Sequence, residues 1–486
     1  MISDSPNVVW LTLESVRADH TPMGGYDRDT TPAIRQLAEE DDATAFENCF
    51  AHSMWTPASS ASIFTGTYLS DHGVGKDGSG MRTLPPNLTT LPALLADDGY
   101  RTACLSPNGY LSSANGLDRG FRDFYWLSKN LADGGVTDLF EYALNLGSHE
   151  GSPLNAKTRA LVKYALNVRS HGPGFTLDRN EHNLSYVMTE MAKRWVSDAA
   201  KGDDPFFLYA HIGNPHHPYC PPRRTRDRFR DSLPVSMDEA IDLSLDVYGG
   251  SERIRRLNAN GSQLTPEQWD AIETLYDTEI TYADDCVREI VNHVREHDDG
   301  NTIFVITADH GELFGEYGLV GHNLVLHDAL THVPLVVAGA DLDCDGDELV
   351  QHVDVTRTIG SILGHDHEQF RGYDLRTETR DYCLSQRGRA DFDEFFEINS
   401  GFDTELLHEH PVSAIRTREF KYLESASKSN LFELPDEETD VSDEHPEVVE
   451  TLSGVVDDWV DWTAVETDEA EFSDDMKEQL ADLGYL

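Results

Sequence analysis

The chain alternates between two textures. Short runs in which nearly every position is apolar, VVWLTL (8–13), RTACLS (101–106), FFLYAHI (206–212), TIFVITA (302–308) and VPLVVAG (333–339), are separated by longer stretches with apolar residues every three or four positions. Short continuous runs have the form of strands covered on both faces, as in parallel or mixed sheets. The longer stretches, TPAIRQLAEE (31–40), LPALLADDGY (91–100), SYVMTEMAKRWVSDA (185–199) and PEQWDAIETLYDTEITYADDCVREIVNHVREH (266–297), predict helices. Strands joined through crossover helices define an α/β fold, a sheet flanked by helices.

After Gly364 the pattern changes. An acidic, loop-rich stretch leads to SAIRTREFKYLE (413–424), which alternates like a strand, then to LFELPDEETD and the amphipathic PEVVETLSGVVDDWVDW (446–462). This predicts an α/β domain over 1–364 and a smaller α+β subdomain over 365–486, ending in an acidic, solvated tail.

Charge narrows the class of partner. Of 486 residues 88 are acidic and 38 basic, a formal net charge of −50, and only nine of the basic residues are lysines. Such a surface repels nucleic acid and anionic membranes. A dense acidic coat poor in lysine suits concentrated salt, where screening shortens self-repulsion to a few ångströms, and it points to a halophilic source. The six cysteines show no CxxC or CxxH spacing, so neither a zinc knuckle nor a disulfide framework is indicated. The first strand-like run begins at Val8 without a basic leader, and no 18-residue apolar span follows. Both features lead to the expectation of a cytoplasmic protein without a membrane anchor. One basic island, RRTRDRFR (223–230), either holds an anionic substrate or pairs with the acidic surface.

In doubly wound sheets ligands bind beyond the carboxyl ends of strands. There the first run delivers Glu14, and TIFVITA delivers Asp309 and His310, with His322 twelve residues on in a glycine-rich loop. Two carboxylates and an imidazole on neighbouring strand ends suit one divalent cation, zinc, manganese or calcium, though such residues taken singly are more often turn or hydrogen-bonding groups. FFLYAHI leads into HIGNPHHPYCPP, where His211, His216 and His217 cluster among prolines that stiffen the loop. They can pass protons to a leaving group or simply hydrogen-bond the loop. In SMWTPASSASIFTG (53–66), Thr56 before Pro57 has the form of a helix N-cap, a place where free N–H groups also hold anions.

Taken together, NVVWLTLESVRADH, GGYDRDTTPAIRQLAEE, WTPASSASIFTG, PFFLYAHIGNPHHPYCPP, TADHGELFGEYGLVGHN, THVPLVV and the C-terminal AIRTREFKYL, LFELPDEETD and DEHPEVVE resemble, in order and over nearly the whole chain, the sulfatase family of the alkaline phosphatase superfamily. The resemblance implies an alkaline-phosphatase-like fold, a mixed, mainly parallel sheet with helices on both faces and a small C-terminal α+β subdomain. It implies a metal at Glu14, Thr56, Asp309 and His310, with Thr56 in the nucleophile's place, His216 near the leaving group and His322 where many relatives have a lysine on the sulfate or phosphate.

The chain departs from the family at two points. Ser15 replaces a second aspartate of many sulfatases. Position 56 is not a Cys or Ser convertible to formylglycine, and the Arg expected four residues on is Ser60. Threonine has no second hydroxyl on its reacting carbon, so a covalent adduct has to be resolved by attack at sulfur or phosphorus. The set Glu, Thr, Asp, His is also similar to that of lipoteichoic acid synthases and lipid A phosphoethanolamine transferases. The expectation is a metal-dependent hydrolase of a sulfate or phosphate ester on a small molecule or glycan. A phospho-group transferase acting on a glycan or lipid, and a non-catalytic anion- or glycan-binding relative, remain open.

Overall fold

A computed structural model describes residues 5–127 and 181–480, apart from residues 299, 343, 366, 464, 475, 478 and 479. The end of the acidic tail lies outside the described residues. The five apolar runs become strands: β1 (Asn7–Leu13), β3 (Arg101–Ser106), β5 (Phe206–Ile212), β6 (Thr302–Ala308) and β9 (His332–Ala338). Three strands of the same sheet carry weaker patterns: β2 (Ala43–Phe50), β4 (Asp123–Trp126) and the two-residue β10 (Leu349–Val350). A short hairpin, β7 (Leu313–Phe314) with β8 (Val320–Gly321), lies between β6 and β9.

The sheet has eight strands in the order β10-β2-β9-β6-β1-β5-β3-β4. Its pairs are parallel except where β9 meets β2 and β6, so β9 alone is reversed. Every residue of β5 and β6 is buried, as continuous apolar runs require when helices cover both faces. Those helices include α1 (Pro32–Ala38), α2 (Thr56–Thr65), α3 (Leu91–Asp97), α4 (Glu181–Ala199), the 32-residue α5 (Pro266–His297) and α6 (His352–Ile362).

Register decides where the chemistry emerges. Leu13 pairs with Ile212 on one side and Ala308 on the other, so three strands end level with one another. The next residues, Glu14 and Asp309, therefore leave the sheet side by side, and His211 stands one step back on β5.

Beyond α6 a separate antiparallel sheet forms from β11 (Cys383–Arg387), β12 (Val412–Arg416), β13 (Phe420–Ser425) and β14 (Ser429–Glu433). The helix α7 (Pro446–Trp459) packs Leu452 and Val456 against Ile415, Tyr422 and Leu431 of that sheet. SAIRTREFKYLE is not one strand but the two arms of a hairpin. Its polar centre makes the turn, with the Thr417 hydroxyl accepting the Phe420 N–H at 2.9 Å.

Candidate active site

Glu14, Thr56, Asp309 and His310, from three separate segments, meet at the carboxyl edge of the sheet, and all are buried. Asp309 accepts the Ser15 N–H through Oδ1 at 3.2 Å, while its Oδ2 accepts no hydrogen bond. His310 donates Nδ1–H to the Gly311 carbonyl at 2.8 Å, which puts Nε2 3.4 Å from Asp309 Oδ2 and 3.5 Å from the Thr56 hydroxyl. Burial opposes ionisation of Glu14, but the neighbouring His216, His211 and His310 hold its carboxyl at about 2.

Ser15, the residue in place of a second aspartate, acts through its backbone. It sits at φ 64°, a left-handed conformation that a non-glycine residue adopts at a cost of roughly 1–2 kcal/mol. The Tyr276 hydroxyl donates to its carbonyl at 2.6 Å, pinning the turn that sets Glu14 beside Asp309.

Thr56 is not the N-cap. It is the first residue of α2, Trp55 is the cap residue, and no side chain caps the helix. The Thr56 hydroxyl is engaged across the site instead, accepting an N–H from Asn108 at 3.2 Å. Small residues at Ala58, Ser59, Ser60, Ala61 and Ser62 let every residue of α2 be buried. The helix stops at Gly66, φ 64°, where a Cβ would stand 2.5 Å from the Phe370 ring.

Two further residues join the site: Asn108, which no motif singles out, and His211, expected among the proton-passing or loop-bonding histidines. Asn108 follows β3; one N–H binds Thr56 and the other binds Glu14 Oε1 at 2.6 Å. The rule that placed Glu14 and Asp309, polar residues after a strand's carboxyl end, also covers Asn108 in LSPNGY. His211 places Nε2 3.6 Å from Glu14 and 3.9 Å from Asp309. Burial pulls its pKa down, but those two carboxylates raise it above the ordinary histidine value.

Beside this cluster lie His216, His217 and His322, with ligand-capable atoms all within 4.8 Å of one another. The His322 ring is 4.6 Å from that of His310. His216 bonds the His217 carbonyl through Nδ1 at 2.7 Å, and His322 Nδ1 meets Glu312 Oε1 at 3.2 Å. Burial lowers His322 to about 3 and raises Glu312 to about 7, so a protonated Glu312 can donate to Nδ1 and leave Nε2–H of His322 facing the site. Burial lowers His216 as well, against the charges of Glu14 and Glu312. These imidazoles can donate to an anion or, as neutral Nε2 ligands, hold a cation.

A cleft of about 200 Å³ opens outside the histidines, lined among others by Trp55, His217, His322, Arg387 and Arg389. The basic island is part exposed and pairs with neighbouring acidic groups, Arg230 with Asp227 at 3.3 Å among them. Arg228 pairs with Asp285 at 3.0 Å, and the Arg224 guanidinium lies 4.7 Å from the centre of the Tyr282 ring. Among the described residues no helix is long and apolar enough to cross a membrane.

The eight-stranded mixed sheet, the level strand ends and the small antiparallel sheet make this an alkaline-phosphatase-like α/β enzyme fold. The family model described as Sulfatase matches residues 6–365, and the chain belongs to the sulfatase family, among hydrolases of sulfuric and phosphoric esters. Arylsulfatase K of Canis lupus familiaris is 24% identical over 488 residues, covering 92% of this chain and 81% of the relative. Across the curated relatives the match spans from 62% to 81% of the relative's own length. Two solved structures share the fold. The phosphonate monoester hydrolase of Agrobacterium radiobacter superposes with a TM-score of 0.67 at 20% identity, covering 93% of this chain and 95% of the other. A structure in complex with its substrate D-glucosamine-2-N,6-O-disulfate superposes with a TM-score of 0.64 at 15% identity, covering 98% and 99%. Members of the family generally depend on a divalent metal.

Proposed function

We propose that this protein hydrolyses a sulfate or phosphate ester by in-line attack of Thr56, at a site built for one divalent cation. The observation that carries the reading is the buried Oδ2 of Asp309, which receives no hydrogen bond and lies 3.4 Å from His310 Nε2, beside the Glu14 carboxyl that its surroundings hold ionised. An orphaned carboxylate oxygen among imidazole and hydroxyl donors fits zinc or manganese, and admits calcium. Glu14, Asp309, His310 and Thr56 would hold the cation, which would supply Lewis acidity for the ester's charge and for the hydroxyl of Thr56.

The chain's own groups do the rest. Asn108 orients the Thr56 oxygen, which gives up its proton to water and whose bond to sulfur or phosphorus forms as the bond to the leaving alcohol breaks. His216 protonates that alcohol once the arriving anion has raised its pKa. His322, backed by Glu312, donates to an equatorial oxygen. Water then attacks the sulfur or phosphorus of the Thr56 ester and regenerates the hydroxyl, since threonine lacks the second hydroxyl that would expel the anion by C–O cleavage.

The substrate class is a sulfated or phosphorylated small molecule or glycan, and the acidic, lysine-poor surface supports work in concentrated salt. The test is release of nitrophenol from 4-nitrophenyl sulfate, 4-nitrophenyl phosphate and bis(4-nitrophenyl) phosphate in molar salt, with manganese, zinc or calcium added after chelation. At least one ester is expected to turn over only with metal. Equal turnover by the Thr56→Ala protein overturns the assignment of Thr56.

A further inference from the structure

Arg387, the last residue of β11, borders the cleft from the C-terminal sheet, together with Trp55 and His322. It is 2% exposed. One terminal nitrogen donates to the Gly388 carbonyl at 2.8 Å and the other to the His408 carbonyl, while the buried Nε–H has no partner. These bonds use two of the five N–H groups of a guanidinium.

The other buried arginines among the described residues show what is missing. Arg17 is paired with Asp19 and Glu316, both at 2.7 Å, and Arg380 is clamped on Asp354. Among the described residues Arg387 has no carboxylate within ion-pair distance, and burial alone pushes its pKa down, to about 9, which leaves it charged at neutral pH. The charged groups around it are otherwise engaged. Arg389 pairs with Glu409 at 3.1 Å, Glu437 binds Lys421 at 2.6 Å, and Asp391, on the exposed rim, accepts the Asp393 N–H at 2.9 Å. Burial holds His408 neutral, with its value lowered to about 4.

A buried cation without a counter-charge is costly, and a site retains one when an anion arrives to complete it. The planar fork of a guanidinium matches pairs of oxygens on carboxylate, sulfate or phosphate. The cleft is also larger than a single sulfate or phosphate needs. We propose that Arg387 anchors a second anion subsite, so that the substrate carries a fixed negative charge apart from the ester that is cleaved. This rests on the ester-hydrolase reading and narrows its substrate class to esters with a second anionic group.

Calorimetric titration of the metal-loaded protein in constant high salt tests it, using benzenesulfonate against benzene-1,3-disulfonate and biphenyl-4,4′-disulfonate, none of which carries a cleavable ester. At least one disulfonate is expected to bind about tenfold or more tightly than benzenesulfonate. Arg387→Gln is expected to erase that preference while leaving benzenesulfonate affinity within about twofold, and Arg387→Lys to retain part of it. No preference in the native protein overturns the proposal, and so does a preference that survives in a folded Arg387→Gln protein. If Arg387→Gln does not fold, Arg387→Lys decides, because a lysine that keeps the full preference removes the role of the fork. Cleavage of a nitrophenyl ester alongside a missing preference counts against the subsite alone. Failure to cleave any ester counts against the hydrolase reading.

Discussion

Two buried charge clusters in this molecule are built from the same kinds of residue and end differently. At the junction with the C-terminal sheet, Lys421, 1% exposed, sits between Asp328 at 2.7 Å and Glu437 at 2.6 Å. Glu437 also accepts the Asp328 N–H at 2.8 Å, and the Lys421 charge holds Asp328 well below the ordinary carboxylate range although burial opposes it. That cluster is complete. At the edge of the large sheet, Glu14 and Asp309 are as deeply buried, yet among the described residues no lysine or arginine lies within ion-pair distance of either. The basic side chains that face them are histidines, and one carboxylate oxygen goes without a hydrogen bond. A structural cluster supplies its own counter-charge. A functional one leaves room for a charge that comes and goes.

That contrast breaks most sharply under paired substitutions. Lys421→Met is expected to destabilise the protein by about 3–5 kcal/mol, since it strands the buried Glu437 carboxylate while Arg416 still faces Asp328 at 3.4 Å. Asp309→Asn is expected to stabilise the metal-free protein by about 1 kcal/mol, since it removes a charge that lacks a cation. Denaturant unfolding after chelation reads both, and destabilisation by Asp309→Asn ends the comparison.

Metal itself is the next test. The bound cation stabilises only the folded chain, by about 2.7 kcal/mol at a hundredfold excess over Kd. Thermal melts with and without manganese, zinc or calcium are expected to separate for the native protein and to coincide for Asp309→Asn. A native protein indifferent to all three contradicts the site.

Acid separates the structural histidines from the site. His72 accepts the Val74 N–H at Nδ1 and bonds Ser62 through Nε2, and burial lowers its pKa to about 3. Below the unfolded value near 6.5 the unfolded chain takes up a proton that the folded His72 refuses, so stability falls as pH drops from 6.5 towards 3. Glu312 and Asp284, both raised to about 7 by burial, pull the other way, because the folded chain binds their protons more tightly than the unfolded one. The His72 contribution is therefore read by difference. His72→Gln is expected to gain about 2 kcal/mol on the native protein between pH 6.5 and 5, and a constant difference contradicts it.

The smallest effect belongs to Asn108. Loss of its two bonds in Asn108→Ala is expected to lower kcat/KM by about tenfold while metal affinity falls less, as measured by steady-state kinetics and metal titration.

The parts of this site that were legible in the sequence are those that announce themselves by position. Continuous apolar runs gave β1, β5 and β6, and the residues directly after β1 and β6 are Glu14 and Asp309. Weak patterns hid the rest. In ATAFENCF the polar Glu47 and Asn48 break the apolar run of β2, and the two residues of β10 are too few to show a period. Asn108 was hidden because an asparagine after a strand reads as a turn residue, and its partners lie 52 and 94 positions away. Arg387 was illegible for a similar reason: an arginine ending a strand looks exposed, and only the C-terminal sheet's packing reveals that it is buried without a carboxylate.

The most direct measurement of a nucleophilic Thr56 is mass spectrometry of the protein acid-quenched during turnover of a slow nitrophenyl ester in molar salt with metal. A phosphoryl or sulfuryl group is expected on the peptide carrying Thr56, absent after chelation and absent in Thr56→Ala. An unmodified Thr56 peptide, together with a Thr56→Ala protein that still turns over the ester, contradicts it.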